Sequence, residues 1–104
     1  MAKYLLTFRG GRMPEGAEEQ AQVMAAWTAW FTAAGGAIAD PGNPTTKSRT
    51  IAADGTAGPE GPASLSGYSI VSADSLDAAV ALAKGCPVIA GGASIEVIET
   101  LDVM

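Results

Sequence analysis

The residues that could do chemistry in this chain are few, because the sequence contains no histidine. Histidine is the usual general acid or base near neutral pH and the commonest zinc ligand. Without it, other side chains would have to fill these roles. Proton transfer or oxyanion stabilisation would fall to Tyr4, Tyr68, Asp40 or Arg49. The single cysteine, Cys86, has no histidine to activate it. We therefore expect no metal site and no cofactor, and the sequence leaves open whether the protein is an enzyme.

Two tryptophans are candidates for contact with a bound ligand. Trp27 and Trp30 lie on the apolar stripe of a predicted helix, where such side chains either line a pocket or belong to the core. The cations Arg9, Lys47 and Arg49 can gather around an anionic ligand, or they can be solvated or paired with carboxylates. The ligand-binding candidates are Tyr4, Trp27, Trp30, Arg49 and Tyr68.

The carboxylates have structural alternatives to catalysis. Asp40 and Asp54 each stand beside proline or glycine, where aspartate commonly accepts a hydrogen bond from its own backbone. Glu96 and Glu99 fall on opposite faces of the last predicted strand, so they do not form an adjacent pair. Cys86 follows a helix and is expected to be a buried thiol.

Helices and strands must position these residues, and hydrophobic periodicity predicts both. Strands are expected over residues 3–9, 67–72 and 94–99, with helices over 15–34 and 76–84. A further strand is expected in one of two places. It either starts at 37–39 and is interrupted by the turn-rich segment 40–44, or begins after that segment, near 46–53. The segment 56–64 has too much glycine and proline for regular structure, and we interpret it as a loop.

This order predicts an α+β fold, the ferredoxin-like β-α-β-β-α-β arrangement with an antiparallel four-stranded sheet and two helices on one face. Apolar residues nevertheless occur on both faces of the strands, as Leu5 and Leu6 illustrate. A sheet with one solvated face should alternate between apolar and polar residues. We therefore expect a homodimer formed through the open sheet face, which is a dimeric α+β barrel.

Length and charge exclude several classes of protein. The chain has 104 residues, which fits one domain over residues 1–104. The formal net charge of −5 and the scattered cations argue against a nucleic-acid partner. Apolar runs are too short for a membrane span, and the N-terminal segment lacks the apolar core of a secretory signal. We expect a cytoplasmic protein.

Several short motifs, in order, carry a family resemblance. Asp54-Gly55 precedes a loop that reads Glu60-Gly61-Pro62-Ala63, and Gly85-Cys86-Pro87 precedes a glycine pair and a closing strand. In these motifs the chain resembles, over essentially its whole length, the YCII-related proteins and the branch of them named for a DGPF motif. The resemblance implies the dimeric α+β barrel and makes Glu60, Gly61 and Pro62 the signature loop. Glu60 replaces the motif's aspartate, Ala63 its phenylalanine, and Val88 a histidine found in many relatives.

Three functions are compatible with these observations. The first is a homodimer that holds a small organic ligand between the sheet, the long helix and the loop at 58–64, without histidine-based catalysis. The alternative is a cofactor-free isomerase, lyase or monooxygenase-like enzyme acting on a small aromatic or lactone-like substrate. A weaker alternative, implied only by the resemblance, is an accessory protein in a sigma-factor-linked regulatory system.

Overall fold

A computed structural model describes residues 2–102, so Met1, Val103 and Met104 of the predicted 1–104 domain lie outside the described residues. Within that range the fold is α+β, with a four-stranded antiparallel sheet and two helices. The strands and helices, in chain order, are β1 (Ala2–Gly10), α1 (Gly16–Ala34), β2 (Ile38–Asp40), β3 (Lys47–Ser48), β4 (Gly61–Pro62), β5 (Gly67–Ala73), α2 (Leu76–Ala83) and β6 (Ala93–Glu99). Short 3-10 turns follow each helix, at Gly35–Ala37 and Pro87–Ile89.

The main sheet has the strand order β2-β5-β1-β6, and every pairing in it is antiparallel. Strand β1 is central, and its Leu5 lies opposite Ile70 of β5 on one side and Ile98 of β6 on the other. Because side chains alternate along a strand, this register puts all three residues on the same face of the sheet. Tyr4, Leu6 and Phe8 face the other way.

The core lies between the face that carries Tyr4, Leu6 and Phe8 and the two helices. Leu6 is fully buried, and Ala79 and Ala83 bring α2 close to the strands. The buried members of the cluster are Tyr4, Leu6, Phe8, Trp30, Val71, Ala73, Ala79, Ala83 and Cys86. Small alanines on α2 and large rings on β1 and α1 therefore share one interface.

Helix α2 begins after the serine and ends before the glycine that its sequence provides as capping and stop signals. The Ser75 hydroxyl accepts a hydrogen bond from the backbone N–H of Ala78 at 3.1 Å, which satisfies one of the free donors of the first turn. After Gly85 the chain turns through Cys86 and Pro87 into the 3-10 turn. None of the helices in residues 2–102 is long and apolar enough to cross a membrane.

The segment 40–44 ends β2 after three residues. The Asp40 carboxylate accepts a hydrogen bond from the Gly42 N–H at 2.8 Å, and the Pro41 carbonyl accepts one from the Ser69 hydroxyl at 2.7 Å. Gly42 has a φ of +79°, and a Cβ there would overlap the carbonyl oxygen of Tyr68. Of the two predicted places for a further strand, the one at 37–39 gives β2 of the main sheet. The strand within 46–53, β3, belongs to a separate two-stranded sheet, because the chain turns away from β5 at Pro44 after a bridge to Gly67.

Residues 45–66 form a two-stranded extension, which we call the arm. Strands β3 and β4 pair within it, and backbone bonds such as Gly58 N–H to Thr50 O at 2.6 Å continue towards the turn at Asp54 and Gly55. The segment 56–64, predicted to be an irregular loop, is the returning half of this arm. Gly58, Gly61 and Pro62 pair with the outgoing half through backbone atoms. The described residues have a radius of gyration of 15.3 Å, against roughly 13 Å for a compact domain of about 100 residues.

Candidate functional site

Aromatic rings pack against one another in the region where the sequence places a cavity, between the sheet and α1. Trp27 stacks edge-to-face on Trp30 with ring centroids 5.8 Å apart, and it also lies 6.0 Å from Phe8 of β1. The Trp30 indole N–H donates a hydrogen bond to the Leu82 carbonyl at 3.1 Å and thereby ties α1 to α2. Both tryptophans thus have neighbours that hold the fold together.

Tyr4 is buried in the core and reaches a carboxylate at the sheet edge. Its hydroxyl donates a hydrogen bond to Glu99 Oε1 at 3.3 Å. Burial first, and then the negative charge of Glu99, raise the pKa of Tyr4 above its ordinary value of 10.0. Tyr4 therefore keeps its proton near neutral pH and acts as a hydrogen-bond donor.

The cationic candidates do not meet. Arg49 lies in the arm, where its Nε donates to the Gly58 carbonyl at 2.8 Å. Lys47, also in the arm, pairs with Glu60 of the signature loop at 3.6 Å, with both side chains largely exposed. Arg9 is exposed near the end of β1, in the main sheet. The structure therefore spreads these charges over two elements and does not gather them into an anion site.

The ligand-binding candidates occupy three different places. Tyr4, Trp27 and Trp30 lie on the helix side of the sheet, Tyr68 points to the opposite face, and Arg49 is in the arm. Sequence spacing could not show this, because no pattern in the sequence indicates that residues 45–66 leave the main sheet and form the arm.

The predicted roles of the turn aspartates are confirmed. Asp54 accepts a hydrogen bond from the Thr56 N–H at 2.9 Å, as Asp40 does from Gly42. This backbone bond, together with one from the Thr56 side chain, holds the pKa of Asp54 below its ordinary range. Cys86 is buried, and burial raises the pKa of its thiol, which disfavours the reactive thiolate. Among residues 2–102 no cluster of three or more His, Cys, Asp or Glu side chains is placed to hold a metal ion.

An apolar groove of about 300 Å³ lies elsewhere, between α2, β6 and the 3-10 turn that follows α2. It is lined by Val80, Ala83, Lys84, Ile89, Ala93, Ser94, Ile95 and Val97. Lys84, at the end of α2, is the charged member of this lining, and Ser94 supplies a hydroxyl. Sequence reasoning missed the groove. Alternation along β6 indicated that Ile95 and Val97 share a face, but no pattern indicated that the turn brings Ile89 beside them.

The opposite face of the main sheet carries a second apolar surface, which we call the open face. Its central residue is Leu5, flanked by Ile70 and Ile98, and the next row holds Tyr68, Thr7 and Glu96. Ile98 is 37% exposed, Leu5, Ile70 and Tyr68 are half-buried, and Thr7 is buried. Leu6 on the helix side is fully buried. The helices contribute to the core on the other face, so this surface is left to solvent or to a partner.

Searches of protein-family models, curated proteins and solved structures find no match to this chain. The resemblance to YCII-related proteins therefore stays a prediction from the sequence. The same holds for the cytoplasmic location and for a role beside a sigma factor.

Proposed function

We propose that this protein is a homodimeric small-molecule-binding domain, related to the YCII-related proteins and built as a ferredoxin-like subunit of a dimeric α+β barrel. The observation that carries the binding function is the apolar groove between α2 and β6. The strand order β2-β5-β1-β6, with both helices on one face, supports the ferredoxin-like arrangement.

The lining of the groove defines the class of ligand. Its lining is aliphatic apart from Lys84 and Ser94, and the groove is shallow and open to solvent, with a volume of about 300 Å³ at the small end of the range for ligand sites in proteins. Burying apolar ligand surface there is favourable by roughly 25 cal/mol per Å². Lys84 offers a positive charge where the groove meets the end of α2. We therefore assign a small carboxylate with an aliphatic or aromatic body, oriented by its charge towards Lys84.

The open face supports the homodimer. Leu5, Ile70 and Ile98 form a partly exposed apolar patch at the centre of a sheet, and exposed apolar patches mark sites of association. A second copy of the same face would cover it and complete a double-sheet core. Ligand groove and dimer interface then lie on opposite sides of each sheet.

Binding rather than catalysis is favoured by the placement of the candidate acid–base residues. Tyr4 is enclosed in the core, Asp40 is engaged in its own turn, and Arg49 is held in the arm. Catalysis requires such groups within hydrogen-bond reach of one reacting centre.

The experiment is a titration with hexanoate and, separately, with 1-hexanol, followed through backbone amide NMR shifts. We expect shifts in α2 and β6 with both probes, and tighter binding of hexanoate. Lys84→Gln should weaken hexanoate binding about three- to tenfold and leave 1-hexanol unchanged, because a partly exposed ion pair contributes roughly 1 kcal/mol. Lys47→Gln, which removes a lysine from the arm, is the matched control.

A second variant separates binding in the groove from attraction by charge alone. Ala93→Leu adds a branched side chain to the groove wall and should abolish the shifts from both probes. Saturable shifts that survive in Ala93→Leu, or a wild-type protein that binds neither probe, would overturn the proposed groove function.

A further inference from the structure

The arm is joined to the main sheet at its base, where the Ser66 N–H donates a hydrogen bond to the Phe8 carbonyl at 2.7 Å, and its outer part extends away from the core. None of the residues 45–66 is buried, and Ile51, near its end, is 70% exposed. The arm is held by backbone bonds, by the Arg49 bond to Gly58 and by the exposed Lys47–Glu60 pair. A two-stranded hairpin is at best marginally stable in water unless it packs against something else.

We infer that the arm is part of a subunit interface and packs against a second copy of this chain, with Ile51 as its apolar contact. The inference rests on the proposed homodimer and extends it, because it assigns a binding role to a segment outside the main sheet.

The size of the open face is the first reason for choosing a second copy. Four strands about 4.8 Å apart and about seven residues long present roughly 400 Å² in projection. A pleated face has more accessible area than its projection, but β2 contributes only three residues. Stable interfaces bury roughly 800 Å² on each partner. A second contact region would enlarge the interface towards that size, and the arm can supply it.

The connection between the arm and the main sheet is the second reason for choosing a second copy. The arm leaves the sheet after β2 ends and returns to it where β5 begins, through the Pro44–Gly67 bridge and the backbone bond from Thr45 N–H to Ser66 O at 3.1 Å. It therefore starts at an end of the main sheet, which borders the open face. When a second sheet covers that face, an extension from its rim is placed to reach the partner.

Charge is the third reason. The arm has two cations, Lys47 and Arg49, and two anions, Asp54 and Glu60, so its formal charge is zero in a chain of net charge −5. Its outer part, from Thr50 to Pro59, carries one charged residue, Asp54. An arm with no net charge and a single anion in its outer part meets less repulsion from an acidic copy of the same protein than a more acidic surface would.

The test shortens the arm and keeps its base. Replacing residues 49–60 by Asn-Gly joins Ser48 to Gly61, which are already opposite each other, by a two-residue hairpin turn. The dimer dissociation constant is measured by sedimentation equilibrium, and amide NMR spectra check that the main sheet is intact. We expect dissociation constants at least tenfold higher for the shortened protein. Ile51→Ser should give a several-fold increase, and Met13→Ser, which alters another highly exposed side chain outside the arm, should give none.

Photo-crosslinking identifies what the arm touches. A photoreactive phenylalanine analogue is placed at position 51, and isotope-labelled and unlabelled proteins are mixed before irradiation. Crosslinked peptide pairs of mixed label would support the inference, because they join two copies. Crosslinks only within one chain would overturn it, since the arm would then fold back on its own subunit.

The outcomes distinguish this inference from the proposed dimer. If Leu5→Glu abolishes the dimer and the shortened arm leaves its dissociation constant unchanged, the sheet-to-sheet dimer stands and the role of the arm is refuted. If the wild-type protein is monomeric at every concentration, the homodimer itself is refuted, and the role of the arm with it.

Discussion

At the scale of single residues, position decides which side chains are chemically available. Trp30 and Tyr4 are both buried and both find hydrogen-bond partners, the Leu82 carbonyl and the Glu99 carboxylate. A buried polar group without a partner costs roughly 1–3 kcal/mol, so these contacts are requirements of the core. Neither residue needs a ligand to explain its environment.

The raised pKa of Tyr4 gives a prediction at this scale. In Tyr68→Phe, where Tyr4 is the remaining tyrosine, tyrosinate absorbance should appear with a midpoint above pH 10.0. Because the unfolded chain loses this proton first, the contribution of Tyr4 to stability is complete below about pH 10 and declines as the pH rises further.

Glu99→Gln tests how much of the raised pKa of Tyr4 is due to the charge of Glu99. It removes the negative charge but leaves Tyr4 buried, so the midpoint should fall and yet stay above 10.0. A midpoint at or below 10.0 in Tyr68→Phe would contradict the burial and the contact with Glu99.

At the scale of the elements, the short β2 and the turn after it determine where the arm begins. Asp40, Gly42 and Pro44 end the pairing with β5 after three residues and redirect the chain. Gly42 is essential to this turn because its backbone has φ +79° and lies directly against β5.

We predict that Gly42→Ala destabilises the protein by about 2–4 kcal/mol, since the new methyl group is strained and overlaps the Tyr68 carbonyl. Gly36→Ala is the matched control, because nothing lies within 4 Å of a Cβ there. It should change stability by less than about 1 kcal/mol. Urea denaturation of both variants measures the difference, and equal losses would contradict the close approach of Gly42 to β5.

The long elements could be predicted from the sequence, and the irregular ones could not. Periodicity located β1, both helices, β5 and β6 to within a few residues, because the pattern in each extends over several residues. The segment 40–66 has no such pattern. Its arm is held largely by backbone bonds, which any residue except proline can donate, so its side chains contain little information about its pairing. The groove was missed for a related reason. The contact between Ile89 and β6 is a tertiary contact, and no local sequence pattern indicates it.

At the scale of the whole molecule, the proposed function requires a second copy of the chain. The main sheet has helices on one face and an apolar open face on the other. The arm adds an exposed extension to the same subunit. The proposed homodimer would explain both features together, because one partner would cover the open face and contact the arm.

The structure also separates two substitutions that the sequence could not distinguish. Leu6 is fully buried on the helix side, so Leu6→Glu places a charge in the core and should prevent folding. Leu5 lies on the open face, so Leu5→Glu should leave the subunit folded and disrupt the interface. Met24, 66% exposed on α1, provides the control Met24→Glu, which adds the same charge away from the open face.

Native mass spectrometry of the wild-type protein, Leu5→Glu and Met24→Glu tests the homodimer most directly. We predict twice the chain mass of 10.4 kDa for the wild-type protein and Met24→Glu, and the single chain mass for a folded Leu5→Glu. A monomeric wild-type protein, or a Leu5→Glu variant that remains dimeric, would contradict association through the open face.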